Sequence, residues 1–437
     1  MIPLIAFGIM VGTVWGLFDP FVALAALLAD TIIRPGDIFP LFAVLHVERM
    51  LFVVVVVSML THGGKLQVPP LTRTMLLFYI ACLASVPLAF WVSNALTNAL
   101  NFGKTIVESV IASSLIQTRK QLRMYLLLFV GLVGYLAVST YLQYRAGSFY
   151  FAMGVDRPIG LGGAANNPDT LGLTLVLTLP LIALFMTKGN TLSIKLGMIA
   201  VAAACLLTTF ITGSRGSVLT LILIAGVAAL RSRKRWILIP AAVLLGCAIW
   251  AALPAQYQTR YLSVEHLKKN GSYALRVISW RGGWHMFLHN PLTGVGIGNY
   301  TDANGSKYWP GPGRKVWLDA HSLYFKLLGE LGALGVIAFA SFVWTFFKVN
   351  REMGRRMRAA PERYPPWLRG YPRACNYCIL GLLYCGYAYH DLYRDTWYTL
   401  AGVSAALFLI LQREDGAEAI APASGEAVPL LAVGAAS

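Results

Sequence analysis

The sequence predicts an all-α fold, a polytopic transmembrane helical bundle of about twelve spans with one long extracytoplasmic loop. Three observations carry this. Of 437 residues, 57% are hydrophobic and only 13% are charged, where soluble domains carry about a quarter charged residues. The mean hydropathy is +0.63. The apolar residues are gathered into runs that approach the roughly 20 residues a membrane span needs. Such a chain cannot hide its apolar surface in a water-soluble core, so lipid is its solvent. Closed helices are the expected spans, because no segment shows the roughly ten-residue alternation of an outer-membrane barrel strand.

The candidate spans are 2–18, 21–34, 41–61, 74–93, 103–117, 122–143, 168–187, 192–211, 216–230, 236–253, 321–347, 375–390 and 395–412. That is thirteen, three of them short, so the count is twelve or thirteen. The first run lacks a basic leader and a small-residue cleavage site, and reads as a retained span. Residues 1–412 form the bundle, including the loop 254–320. Residues 413–437, rich in Ala, Gly, Pro and Glu, read as a disordered cytoplasmic tail.

The formal net charge is +17. In a soluble protein this would suggest nucleic acid, but here the basic residues sit beside apolar spans, where they set orientation. Nucleic acid is therefore not an expected partner; the lipid bilayer is. The basic connectors are Lys65 with Arg73, Arg119-Lys120 with Arg123, Lys188 with Lys195, the run Arg231–Arg235, and the cluster from Lys348 to Arg373. Two spans separate each from the next, so all five can lie on the cytoplasmic side. That places 94–102, 144–167, 212–215 and 254–320 outside. The N-terminus is outside too if both of the first two segments span. Of the six cysteines, Cys375 and Cys378 form a lone CxxC without partner ligands, which argues against a zinc or redox site. No acidic or His/Glu cluster on the outer face has metal-ligand character, so metal-independent chemistry without a cofactor is expected.

The long outer segment 254–320 carries Arg260, Lys268, Lys269, Arg276, Arg281, Lys307, Arg314 and Lys315 against Glu265, Asp302 and Asp319. Loops longer than about 60 residues escape the charge bias, so a merely solvated loop is one reading. The other is that these cations meet an anionic ligand, for which the planar guanidinium fork suits phosphate. Arg215 follows Thr212-Gly213-Ser214 at the start of a span, where a helix N-terminus favours phosphate; it could equally snorkel to headgroups. Arg276, Trp280 and Trp284 recur on one face of an amphipathic helix, with Arg281 beside them. His321, in Asp319-Ala320-His321-Ser322, opens the next span. A neutral imidazole there can take a proton from a hydroxyl with Asp319 orienting it, or simply end the helix. Asn167 and Asp169 stand at the foot of another span as possible sugar contacts, or as cap and turn residues. Glu330, nine residues into the His321 span, reads as structural.

Three signatures coincide: Thr212-Gly213-Ser214-Arg215-Gly216, Arg276-x3-Trp280 leading into HNPLTGVGIGNY (289–300), and AHSLYFKLLGELGALGV (320–336). Together they resemble the O-antigen ligase and O-antigen polymerase superfamily of bacterial inner-membrane glycosyltransferases. The last signature and GLLYCGYAYHDLYRDTWYTLAG (381–402) are most similar to the exosortase-associated O-glycosylation ligase branch. The resemblance covers about residues 145–410. It implies a GT-C-type helical bundle and a glycan donor on undecaprenyl diphosphate, presented at the periplasmic face. It implies diphosphate binding by Arg215 and Arg276, and His321 as base or acceptor-positioning group. The implied acceptor is lipid A core, another glycan or a protein. A polymerase would use the same chemistry on a second glycan. A transporter or flippase of lipid-linked glycans is the reading from another class, but it would place charge near the bilayer midplane in related halves, and this chain collects its polar groups at one face.

Overall fold

The structure, a computed structural model, describes residues 2–152, 154–160, 162, 166–262, 271–311, 314–389 and 391–420. Among the described residues are seventeen α-helices, one two-stranded hairpin and short 3-10 and π turns. The first seven helices are α1 (Ile2–Gly16), α2 (Pro20–Ile33), α3 (Pro40–Val44), α4 (Val47–Thr61), α5 (Pro70–Ala84), α6 (Val92–Leu115) and α7 (Arg119–Arg145). The antiparallel strands β1 (Phe149–Ala152) and β2 (Val155–Pro158) follow. Next come α8 (Pro168–Phe185), α9 (Leu192–Ile211), α10 (Arg215–Leu230) and α11 (Arg235–Ala252). Three elements of the polar outer segment are α12 (Ala255–Leu262), α13 (Gly271–His289) and α14 (Tyr300–Ala303). The chain ends with α15 (Leu323–Ala359), α16 (Pro366–Cys385) and α17 (Asp395–Ile420).

Every apolar run predicted from the sequence overlaps a helix, though 74–93 leaves α5 at Ala84 and 41–61 is divided between α3 and α4. Five helices, α7, α8, α9, α11 and α15, are long and apolar enough to cross a bilayer, and three more apolar ones are shorter. The bundle is therefore an all-α, multi-pass membrane fold. Local chemistry sets the helix starts. Asp19 and Thr118 cap α2 and α7, the latter as a reciprocal capping box with Gln121. Proline occupies the first position of α2, α5, α8 and α16, where its missing N–H costs nothing.

Two boundaries differ from the sequence reading. Residues 94–102, expected as an outer loop, belong to α6, and the connection is 85–91 instead. The polar residues that suggested a loop are used on the helix: Asn94 Nδ2 donates to Gly298 O at 3.1 Å and to Asn299 Oδ1 at 2.8 Å. The tail expected to be disordered from 413 continues α17 to Ile420. Its acids explain why: Glu414 pairs with Arg119 at 2.6 Å, and Asp415 with Arg356 at 3.0 Å. Residues 421–437 lie outside the described residues.

The five basic connectors meet at one end of the bundle. Gln67 N donates to Ser114 Oγ at 2.9 Å, Arg123 Nη2 to Asn190 Oδ1 at 2.7 Å, and Arg119 Nη1 to Arg363 O at 2.9 Å. Arg231 and Arg233 line a crevice with Arg373. The opposite end gathers 85–91, the hairpin, 212–214, the helices α12, α13 and α14, 386–389 and 391–394. Phe90 N bonds Val295 O at 2.8 Å and Leu323 N bonds Gly386 O at 2.7 Å across these segments.

One long helix is broken at that second end. Gly332 in α15 has φ 58° and ψ −156°, which interrupts the helical ladder. The freed backbone groups are all taken up by the turn 291–296. Val295 N and Gly296 N donate to Gly329 O and Glu330 O at 2.8 and 2.9 Å, while Ala333 N and Leu334 N donate to Pro291 O and Leu292 O at 2.8 and 3.1 Å. Non-helical backbone at membrane depth survives only where such groups are satisfied. Glu330, fully buried, completes the brace: its carboxylate accepts from Tyr300 N at 3.2 Å and Tyr393 Oη at 2.7 Å. The structural role expected of Glu330 is what its contacts show.

A Cβ at Gly332 would lie 2.6 Å from the Leu292 carbonyl carbon, in a conformation that side chains rarely adopt. Gly332→Ala should therefore cost about 1–3 kcal/mol or more, read as a lowered melting temperature of the purified protein. Gly226→Ala, which meets open space on α10, should leave that temperature unchanged or raise it. Equal behaviour of the two variants would contradict the bracing role.

Candidate active site

The site begins at the foot of α10. Gly213 turns the chain with φ +62°, and Ser214 caps the helix by accepting from Ser217 N at 3.4 Å. Arg215 is thereby fixed as the first helical residue. Its Nε donates to Arg260 O at 2.9 Å, and Arg260 Nε reaches back to Gly213 O at 3.4 Å, so α12 and α10 are tied arginine to backbone. From the hairpin, Arg157 Nε donates to Thr212 O at 2.9 Å and its Nη2 pairs with Asp169 Oδ1 at 2.7 Å. Tyr389 Oη closes the arrangement, 2.6 Å from Ser214 Oγ and donating to Asp169 Oδ1 at 3.1 Å.

Positive charge is crowded here. Burial disfavours a charged Arg157, but the adjoining Asp169 carboxylate outweighs it and raises its pKa. Burial first, then the charges of Arg215 and Arg157, push Arg260 down to about 10. Arg276 on α13 is close enough for its charge to act on Arg215. Four guanidinium groups from β2, α10, α12 and α13 thus converge.

The base of α15 is docked on α13. Trp280 Nε1 donates to Ala320 O at 2.9 Å, and Ser279 Oγ to Asp319 O at 3.0 Å. The Trp280 ring stacks on Phe325 with centroids 5.3 Å apart and meets Tyr387 edge-on at 5.2 Å. Arg276 lies one helical turn before Trp280, on the same face. His321's neighbour Ala320 is thus bonded to Trp280, which shares a helix face with Arg276, whose charge acts on Arg215. His321 itself is half-buried and left-handed, with φ +43°. Only two other non-glycine residues among those described share that conformation. A side chain held so, at a cost of order 1 kcal/mol, is directed by its surroundings.

Of the expected residues, Arg276 is close enough to Arg215 for their charges to interact, and the segment just before His321 is docked on α13, one turn from Arg276. His321 precedes Ser322, the N-cap, and so stands just ahead of the helix rather than on it; its face relation to Glu330 is set by the turn, not by helical periodicity. Asp319 accepts from Ala320 N at 2.7 Å and from Lys326 Nζ at 3.0 Å. Asn167 caps α8, accepting from Asp169 N at 2.9 Å and Thr170 N at 3.3 Å, the plainer of its two readings. Asp169 is engaged by Arg157 and Tyr389. Arg281 is exposed and turned about 140° around α13 from Arg276. Sequence reading took Arg157 only as a possible sugar contact and Arg260 only as one cation of the outer segment, and gave Tyr389 no role. Arg157 stood visibly beside Asp156, but nothing in the sequence joins it to Thr212. Tyr389 lay in the signature 381–402 without a role.

Residues 200–340 match the family model described as O-antigen ligase. The match runs from the second half of α9, through Arg215, Arg260 and Arg276, to just beyond the break in α15, so this part of the chain is similar to O-antigen ligases. No curated protein matches the chain.

Arg157 is almost fully buried, its side chain 4% exposed. Removing its carboxylate strands a buried charge, so Asp169→Ala should destabilise the protein by about 3–5 kcal/mol. Adding Arg157→Met should recover much of that loss, and thermal melts of the two single variants and the double variant measure it. Additive effects would show that the pair is not coupled.

Proposed function

We propose that the protein is an inner-membrane glycosyltransferase of the O-antigen ligase type. It transfers a glycan from undecaprenyl diphosphate to an acceptor hydroxyl at the periplasmic face, with inversion and without a metal ion. The observation that carries this reading is the convergence of Arg157, Arg215, Arg260 and Arg276, the last on the helix that docks the His321 turn, with all but Arg157 inside the segment that matches the O-antigen ligase model. The gathering of the five basic connectors at the far end supports the orientation, since such residues mark the cytoplasmic side.

The acceptor oxygen attacks the anomeric carbon from the face opposite the diphosphate. The new glycosidic C–O bond forms as the bond to the diphosphate oxygen breaks, and that oxygen leaves with the electron pair. Arg215 and Arg276 contact the diphosphate. Guanidinium forks suit its oxygens, and the charge that grows on the leaving group strengthens those contacts in the transition state. Arg260 and Arg157 set the field and hold the turn from which Arg215 projects. His321 takes the acceptor proton. Asp319 and Arg281 sit at the margin, where they can meet sugar hydroxyls. Lipid A core, a glycan or a protein would serve as acceptor, and a polymerase would differ only in taking a glycan.

A deletion strain separates the readings. Loss of a ligase leaves polymerised glycan on its lipid carrier, loss of a polymerase leaves single units attached, and loss of a flippase strands the lipid-linked unit on the cytoplasmic side. Arg215→Ala and Arg276→Ala should each abolish most transfer while the protein still inserts, and Lys should restore only part, lacking the paired fork. Full activity of Arg215→Ala would remove it from the site. His321→Ala should lose about two to four orders of magnitude, and His321→Gln nearly as much. Wild-type turnover should fall on acidification as the imidazole protonates; a Gln variant with near-normal turnover and a flat pH profile would show that His321 only positions the hydroxyl. Cysteines placed in 254–320 should react with an impermeant reagent in spheroplasts, and those in 231–235 should not.

A further inference from the structure

A polar cavity lies at the same end of the bundle and shares no residue with the arginine cluster. It has a volume of about 570 Å3 and lies between α2, the segment around 34–46, α4, α6 and the 393–395 turn. That size is ordinary for a small-ligand pocket. Asp30 of α2, only 5% exposed, and Glu108 of α6 line it. Carboxylates on helices of a lipid-embedded bundle are costly and mark a function unless fully paired. Their internal contacts are modest: Thr31 Oγ1 reaches Glu108 at 3.3 Å, and Asp395 accepts from Thr105 Oγ1 at 3.0 Å and lies 3.8 Å from Arg34.

The backbone around the cavity is also unusual. Arg34 and His46, both in its lining, adopt left-handed conformations with φ +48° each. With His321 they are the three non-glycine residues among those described that do so. Strained backbone of this kind gathers at functional sites.

The donor set defines the ligand. Five carboxylates, Asp30, Asp37, Glu48, Glu108 and Asp395, face Arg34, Arg49 and Lys104 across the space, so an anionic ligand such as the diphosphate itself is disfavoured here. Among the described residues, no group of His, Cys, Asp or Glu is placed to hold a metal ion. The amides of Asn98 and Asn101 together with the carboxylates offer donors and acceptors side by side, which is what neighbouring hydroxyls require. The rings of Phe42 and Phe102 add apolar surface for C–H faces. A polyhydroxylated ring presents both kinds of surface at once.

The cavity is wired to the other site. Tyr393 lines it and donates to the buried Glu330 at the break in α15. The next residue, Arg394, points the other way and donates to Thr170 O at 2.6 Å, at the foot of α8 beside Asp169. One turn of chain therefore separates the cavity from the arginine cluster's support.

We propose that this cavity binds a sugar unit of the glycan handled at the arginine cluster; the assignment rests on the glycosyltransferase reading. The test uses the full chain in cells that make the lipid-linked glycan. The photo-crosslinker p-benzoylphenylalanine replaces either Ala43, in the cavity wall, or Tyr387, against Trp280. Crosslinked protein is stained for carbohydrate after periodate oxidation. Both positions should capture carbohydrate. Asn101→Ala or Glu108→Gln should lower capture at 43 about ten-fold and leave capture at 387 unchanged. Asn101 is exposed, so its variant reports even if the Glu108 variant fails to accumulate. Capture at 387 alone, or capture at 43 indifferent to both substitutions, would overturn the cavity assignment and leave the enzyme reading standing. Absence of carbohydrate at both positions would overturn the two together.

Discussion

The buried pair between Arg157 and Asp169 is the contact on which the site end is assembled. It joins the hairpin to the foot of α8, and its remaining valences reach further. Arg157 holds the Thr212 carbonyl that precedes α10, and Asp169 holds Tyr389, which holds the Ser214 cap. Four segments remote in sequence are thereby fixed around the residue that starts α10. A buried ion pair is rarely a net source of stability, because desolvation consumes most of the Coulomb gain. What this one supplies is geometry. A guanidinium with donors in a rigid plane, met by a carboxylate and a carbonyl, leaves the turn 212–214 little freedom, and Arg215 inherits that precision.

The interruption of α15 does for the other half of the site what the pair does for the first. A straight helix from 323 to 359 would carry its own hydrogen bonds and would leave the turn 291–296 unsatisfied. Breaking it at Gly332 exchanges two helical bonds for four bonds to that turn, so the signature 289–300 and the segment bearing His321 become one unit. Glu330 sits where a carboxylate can accept from both sides of the break, which explains an acid in an otherwise apolar helix. The same exchange orients α13, since Tyr300 donates to Ser279 O at 2.6 Å, one residue before Trp280.

Much of the fold was legible because it follows from solvent. Lipid demands apolar helices, and apolar runs are countable. Basic connectors sort to one end, and the contacts of Arg119, Arg123 and Arg373 bear that sorting out. Reading failed where polar residues serve inside a helix. Asn94 looked like part of a loop because its partners at 298–299 are two hundred residues away, and the end of α17 looked disordered because its partners Arg119, Arg356 and Arg363 lie on other helices and connections. Within the site, Arg215 and Arg276 were legible from their place at a span start and on an amphipathic face. Arg157 and Tyr389 were not, since their roles are set by long-range pairing that no local pattern encodes.

The two ends of the bundle use arginine differently, and the contrast bears on function. At the basic end, Arg119, Arg356 and Arg363 pair with Glu414 and Asp415 in contacts that are partly exposed. Such pairs are worth little individually, and they dress the helix ends. At the opposite end, the arginines are partly buried, act on one another through space, and are held by backbone carbonyls as much as by acids. Like charges pressed together in a region of reduced dielectric raise the energy of the empty site, and an anion relieves it. A carbonyl can orient a guanidinium without neutralising it. The contacts of Arg157 and Arg215 with backbone oxygen therefore preserve the field that a diphosphate would meet, in a way that a set of matched carboxylates would not.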